Sequence, residues 1–261
     1  MVPLSTLAIG WVEITINNEN VAVKVNYKYM DYVRYWPGDS RIQVIIDAPH
    51  CAGEPNESDE RTLELSHDLA EVTGAGVIQS LVPRTLADLN RDIDFSNAAS
   101  VQAHAQQRKA LSHILRHKNA INGGKEVNNC FLYISLHGMK NYFSADLVPI
   151  DIELGTRWGA LCDEDTAQYL KVVLGDSGTY NVLLDNRFIG TKCLYRHING
   201  DPRVPSYKGY GRNFKVIQVE LSHDLRFNYY STTLKALAVA IASIQQSLFK
   251  SNKNRLHAMI N

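Results

Sequence analysis

The chain has 261 residues, 45% of them apolar, enough to fill the core of one large or two small domains. Its 27 basic and 27 acidic residues cancel, so no charge excess points to a nucleic acid or a membrane surface as partner. No stretch reaches the ~18 apolar residues of a membrane span, residues 1–10 lack the basic start of a secretory signal, and the four cysteines are widely spaced with no Cys-x-x-Cys pair, so reduced thiols in a cytoplasmic protein are expected.

Without repeats or linker-like runs, a single domain over residues 1–261 is expected, with an N-terminal hairpin extension over 1–41. Residues 11–16 and 21–27 alternate around the turn cluster Asn17-Asn-Glu-Asn, which predicts that hairpin. The short apolar run at 44–46 predicts a central strand covered on both faces. Ser58-Asp59-Glu60 opens a helical pattern through Leu63, Leu65, Leu69 and Val72 that Gly74 stops. Strand follows at 76–82 and a long helix at 97–118. Further strands are expected at 130–136, 180–184 and 215–221, with helices at 163–174 and 231–249. Alternation of apolar strands with helices predicts an α/β fold, a mixed and mainly parallel sheet covered by helices. Ligands in such sheets sit at the carboxyl ends of the strands.

Three residues share that location: His50, His137 and Glu220 each end or follow a strand. A hydrolytic zinc site needs about three nitrogen or oxygen ligands and one open position. His50 and His137 supply imidazoles, and a carboxylate is available from the 54–60 loop, where Glu54, Glu57, Asp59 and Glu60 crowd together. Either Glu54 or Asp59 is the expected third metal ligand. Arg84, Asn90 and Arg91 form a candidate clamp for a substrate carboxylate, because arginine grips it through two parallel hydrogen bonds. The plainer alternative is a salt bridge of either arginine to Asp88, Asp92 or Asp94. Glu220 closes the run Val216-Ile-Gln-Val and is the candidate catalytic general base; its plainer alternative is a salt bridge to Arg226 or Arg212.

Taken together, Arg84-x-x-x-Asp88-Leu89-Asn90-Arg91, Pro49-His50, Gln218-x-Glu220 and the segment Asn186-Arg-Phe188-Ile-Gly190 resemble the motifs of the N-formylglutamate amidohydrolase family, a branch of the zinc-dependent exopeptidase-like hydrolases. The resemblance runs from about Val44 to Arg226. Asp59 matches the family's carboxylate ligand when counted back from the helix, whereas Glu54-Pro55 resembles the phage poly-γ-glutamate hydrolases. The resemblance implies a Zn2+-activated water attacking the amide of an N-acyl (N-formyl included) acidic amino acid or γ-glutamyl compound, with Glu220 as base and the arginines on the carboxylate. A carboxypeptidase-type or poly-γ-glutamate peptidase, and a non-catalytic module binding acidic peptides on the same fold, stand as alternatives. The expected partner is a small molecule or short peptide carrying a carboxylate, with neither nucleic acid nor membrane; a homo-oligomer is left open. Ala48-Pro-His50-Cys51 and Gly175-Asp-Ser177-Gly178 imitate serine-protease signatures, but the long helical patterns do not suit that all-β fold, and the second reads as a turn.

Overall fold

A computed structural model describes residues 24–55, 57–121, 126–141, 149–178 and 180–260, of which 248–260 are described as backbone alone. Its centre is one eight-stranded sheet. The strands are β1 (Lys28–Tyr29), β2 (Val33–Trp36), β3 (Val44–Ala48), β4 (Gly76–Ser80), β5 (Phe131–Gly138), β6 (Ile152–Gly155), β7 (Val182–Leu184) and β8 (Phe214–Leu221). Their order across the sheet is β1-β2-β4-β3-β5-β8-β6-β7. The four central strands, β4-β3-β5-β8, run parallel. β2 joins β4 antiparallel at one side and β6 joins β8 antiparallel at the other. This is the mixed, mainly parallel α/β sheet that the alternation of elements predicts.

The helices are α1 (Thr62–Thr73), α2 (Ala98–His117), α3 (Glu164–Gly178), α4 (Lys192–Asn199), α5 (His223–Phe227) and α6 (Tyr230–Ile260). Leu65 and Leu69 of α1, Leu170 and Leu174 of α3, and Leu237 and Ile241 of α6 pack with Val44, Ile46, Leu132, Ile134, Ile217 and Val219 on one face of the sheet. Ala103, Leu111 and Ile114 of α2 and Leu194 of α4 pack with Ile45, Phe131, Tyr133, Phe214 and Val216 on the other. Central strands covered on both sides must be apolar at consecutive positions, hence runs such as Val44-Ile-Ile. α1 begins at Thr62, later than the expected opening at Ser58-Asp59-Glu60, and Arg61 before it gives no side-chain cap; the other two ends read from the sequence are capped. Asn97 Oδ1 accepts from Ala99 N at 2.9 Å at the start of α2, and Gly74, at φ 72°, turns the chain out of α1 while its N–H reaches Ala70 O.

Several expectations are corrected. Residues 1–23, with the first arm of the expected hairpin, lie outside the described residues; 24–27 carry no strand. Among the described residues β1 pairs antiparallel with β2, three residues apart and closed by Met30 N to Val33 O at 2.9 Å. Gly175–Gly178 is no turn but the last turn of α3. β6, α4 and α5 have no counterpart in the periodicity reading, because four, eight and five residues are too few to show a period.

Candidate active site

The α2-facing side of the sheet changes character along each central strand. On β5, Phe131 and Tyr133 are followed at the same alternate positions by Ser135 and His137; on β8, Phe214 and Val216 are followed by Gln218 and Glu220. The parallel register sets Ser135 opposite Gln218 and His137 opposite Glu220. Side chains two residues apart share a face, so the first halves of the strands build core and the second halves a polar floor. His50 joins it two residues beyond β3. The following loop folds back: Asp59 N–H donates to His50 O at 2.8 Å, and Thr62 Oγ1 donates to Asp59 O at 2.6 Å. Arg61, left-handed at φ 67°, then turns the chain into α1.

Asp59 Oδ2 thereby lies 3.3 Å from His50 Nδ1 and 3.0 Å from His137 Nδ1. His50 Nε2 donates to Asp88 Oδ1 at 2.7 Å, and His137 Nε2 meets Ser135 Oγ at 3.0 Å. Both imidazoles therefore present Nδ1 to the same carboxylate, each with its far nitrogen held. His50, Asp59 and His137 are all buried, with donor atoms within 4.8 Å of one another. Glu54 is exposed and has no place in this group. Two nitrogens and one carboxylate oxygen, backed by an aspartate on one imidazole, are a donor set that fits a divalent cation, zinc in particular. His67, Asp68 and Glu71 on α1 make a second, partly buried group, but Tyr27 and Tyr230 hydroxyls engage His67 and Asp68.

The electrostatics follow from crowding. Burial works against the ionised Asp59, but hydrogen bonds from His137 and His50 outweigh it and hold its pKa well below the usual carboxylate range. Burial also works against the His50 imidazolium, yet Asp59 and Asp88 raise its pKa. Glu220 is pushed up, first by burial and then by the charge of Asp59, with His137 and the Gln218 hydrogen bond opposing. Gln218 Nε2 donates to Glu220 Oε1 at 2.8 Å. Arg226 does not pair with Glu220: its guanidinium donates to Leu221 O and Met139 O, both at 3.2 Å, and to Glu60 O.

These groups open into a cleft of about 640 Å³ that Arg84, Asn90, Arg91, Gln218 and Glu220 also line. Arg84 lies 3.6 Å from Asp59 and 3.8 Å from Asp88, and Arg91 lies 3.9 Å from Asp88. These are ion-pair distances beyond hydrogen-bond range, so neither fork is spent on an aspartate. Asn90 Oδ1 accepts from Thr191 Oγ1 at 3.0 Å, which orients the amide and leaves its NH2 group for a ligand. The periodicity reading missed the far wall, where Arg157, Arg187 and Lys192 line the same cleft. A signal lay nearby, since Asn186-Arg-Phe188-Ile-Gly190 already stands out in the sequence.

No protein-family model and no curated protein sequence matches this chain. Solved structures do. N-formylglutamate amidohydrolase from Ralstonia eutropha JMP134 superposes with a TM-score of 0.57 over 80% of this chain and 95% of its own, at 16% identity. The gene product Atu2144 from Agrobacterium tumefaciens gives a TM-score of 0.58 over 86% and 97%, at 13% identity. The chain has the N-formylglutamate amidohydrolase fold. A bacteriophage poly-γ-glutamate hydrolase aligns at a TM-score of 0.47 and 16% identity, over 87% of this chain and 92% of its own.

Proposed function

We propose that this protein is a zinc-dependent hydrolase that cleaves the amide bond of an N-acyl acidic amino acid, N-formyl included, or of a γ-glutamyl compound. One observation carries the reading. Two buried imidazoles with their far nitrogens held converge through Nδ1 on Asp59, in a cleft that a buried glutamate and two unspent arginine forks also line. Zinc held by His50, Asp59 and His137 would act as a Lewis acid, polarising a carbonyl and lowering the pKa of water towards ~7.

The chain's own groups supply the rest. Glu220 takes the proton of the attacking water and later delivers it to the leaving amine. Its raised pKa suits both halves of that task, and the Gln218 amide holds one carboxylate oxygen so that the other meets the water. Arg84 and Arg91 grip the substrate carboxylate, and Asn90 adds one donor. Asp88 positions His50 and draws the two arginines towards the same spot.

A second reading, a peptidase of carboxypeptidase or poly-γ-glutamate type, is favoured by the cleft's size, about 640 Å³, which exceeds what one small amino acid fills. The test is elemental analysis of protein purified without added metal, followed by turnover of N-acylated acidic amino acids and γ-glutamyl peptides. Stoichiometric zinc and chelator-sensitive hydrolysis are expected. Zinc without turnover of any such substrate would make the protein a binding module, and absence of metal would overturn the reading.

A further inference from the structure

We propose that a hollow between α2 and the 206–210 loop is a second binding site, which takes the phosphoryl group of a small phosphate monoester. It lies outside the cleft and stands independently of the hydrolase reading.

Charge is segregated here. The chain as a whole is neutral, with 27 residues of each sign, yet α2 carries no acidic residue in its 20 positions. Exposed helix faces ordinarily mix the two signs, because opposite charges three or four residues apart support each other. Arg108, Ser112 and Arg116 follow at four-residue spacing, which sets them in one row along α2. Together with Lys109, and with Lys208 from the loop, they line a hollow of about 360 Å³ that Tyr207 and Tyr210 also border. Tyr210 packs against Phe214, the first residue of β8, with 5.1 Å between ring centroids. Glu220 stands six residues further along that strand, about 20 Å away. The hollow therefore lies at the amino end of β8 and the cleft at its carboxyl end.

The loop that carries Lys208 is pinned on both sides. Tyr210 N–H donates to His197 O at 2.8 Å, and Asp201 N–H donates to Tyr207 O at 3.1 Å. The Tyr207 hydroxyl meets His197 Nδ1 at 2.7 Å, and the Tyr210 hydroxyl hydrogen-bonds those of Ser112 and Tyr207. Burial pushes Tyr210 up to about 12 against the charges of Arg116 and Arg108, which bear directly on this hydroxyl. The wall is preformed.

Its cations are unspent. Among the described residues no carboxylate comes within ion-pair distance of Arg108, Lys109, Arg116 or Lys208, and Glu126, which borders the neighbouring hollow with Lys208, makes no ion pair with it. By contrast Arg196 and Arg203 are bound to Asp201 at 2.6 and 2.9 Å. The dipole of α2 accounts for Arg116 in its last turn but not for Arg108 in mid-helix. Arg108 is half-buried, with its guanidinium carbon 5.1 Å from the centre of the Tyr207 ring. Like charges gathered this way repel one another until an anion joins them. A carboxylate, with one charge and two coplanar oxygens, is satisfied by a single arginine fork. A phosphate monoester brings about two charges and three acceptor oxygens, which is what cations and hydroxyls converging from two elements fit. Ile121 and the Tyr207 ring offer apolar surface to its organic part, and the concave shape admits a small molecule.

The test titrates isotope-labelled protein with phenyl phosphate and with benzoate, reading the amide resonances of Lys208, Gly209 and Tyr210. Phenyl phosphate should shift them saturably, with a midpoint at least about tenfold below that of benzoate. Arg108→Gln should raise the phenyl phosphate midpoint about tenfold, the exposed Arg116→Gln and Lys208→Gln less, and Arg84→Gln, in the cleft, not at all. Equal midpoints for the two probes, or shifts confined to the cleft, overturn the proposal. Should Arg108→Gln fail to fold, the two exposed variants decide: midpoints unchanged in both overturn it, and raised ones support it. Phosphatidate vesicles that move these resonances where phenyl phosphate does not would mark a lipid surface as the partner and overturn it too.

Discussion

At the scale of single residues, the cleft depends on carboxylates whose surroundings push them in opposite directions. Asp59 is kept ionised by the two imidazoles it faces, while burial raises the pKa of Glu220. A ligand should be charged and a general base should exchange its proton, so the pair is divided as the proposed chemistry needs. Glu220→Gln keeps size and hydrogen bonding but removes basicity. Turnover should fall about 10²–10⁴-fold with zinc content unchanged; an active variant would take Glu220 out of the mechanism. A residue outside the cleft offers a separate electrostatic test. Burial lowers the pKa of Lys118 to about 7, with the Asp39 charge opposing, and its ammonium donates to Asp39 O at 2.6 Å. Unfolded lysine titrates near ~10.4, so between these values the unfolded chain binds more protons and stability rises with pH. Below about 7 both states are charged and the burial penalty is felt in full. Lys118→Met should be the more stable form at neutral pH, and the gap should close as pH approaches ~10. Parallel denaturation curves for the two proteins across that range would disprove it.

Among elements, the far wall of the cleft depends on one close approach. A Cβ at Gly155, the last residue of β6, would lie 2.1 Å from Phe188 O and 2.7 Å from Gly190 N. Only glycine lets the 186–190 segment lie against the strand. Glu153, fully buried one layer earlier, accepts the N–H of Arg187 and, at 2.6 Å, that of Phe188, which fastens the segment a second time. Gly155→Ala should therefore displace the wall that carries Arg187 and Gly190. Overpacking of this kind costs about 1–3 kcal/mol, read as a lower melting temperature, and turnover should fall with it while zinc stays bound. A variant with wild-type activity and melting temperature would show that the segment can yield without consequence. The Arg226 side chain has a similar fastening role, tying the ends of β5 and β8 to the loop before α1 through three carbonyls.

For the whole molecule, the proposed metal joins β3, β5 and the loop before α1, so loading should couple to global stability. A ligand at 100 times its Kd adds about 2.7 kcal/mol to the native state. Chelation should lower the melting temperature of wild type and of Glu54→Gln alike. It should leave His137→Ala and Asp59→Asn unmoved, since those proteins start without metal. Equal chelator shifts in all four would place the metal elsewhere.

The long elements were legible in the sequence because each buries a face over many residues. The apolar runs of β3, β5 and β8 and the capped patterns of α1 and α2 carry their own period, and His50, His137 and Glu220 could be placed at strand ends from that alone. The Arg84 to Arg91 motif stood out because two arginines flank an aspartate and an amide straight after an apolar strand. Tertiary structure decided what depends on loop closure. Glu54 and Asp59 look alike on paper, and only the return of the loop, pinned by Asp59 N to His50 O, brings Asp59 rather than Glu54 against both imidazoles. β6 and α4 are too short to announce themselves, and hold their shape through partners far away in sequence: β8 for the one, and for the other Asn90, which takes the Thr191 hydroxyl. Since Arg157 follows the one and Lys192 opens the other, the second cationic wall appears only once the sheet has been assembled. Periodicity reports what a segment buries over its own length; a cleft is made where segments meet.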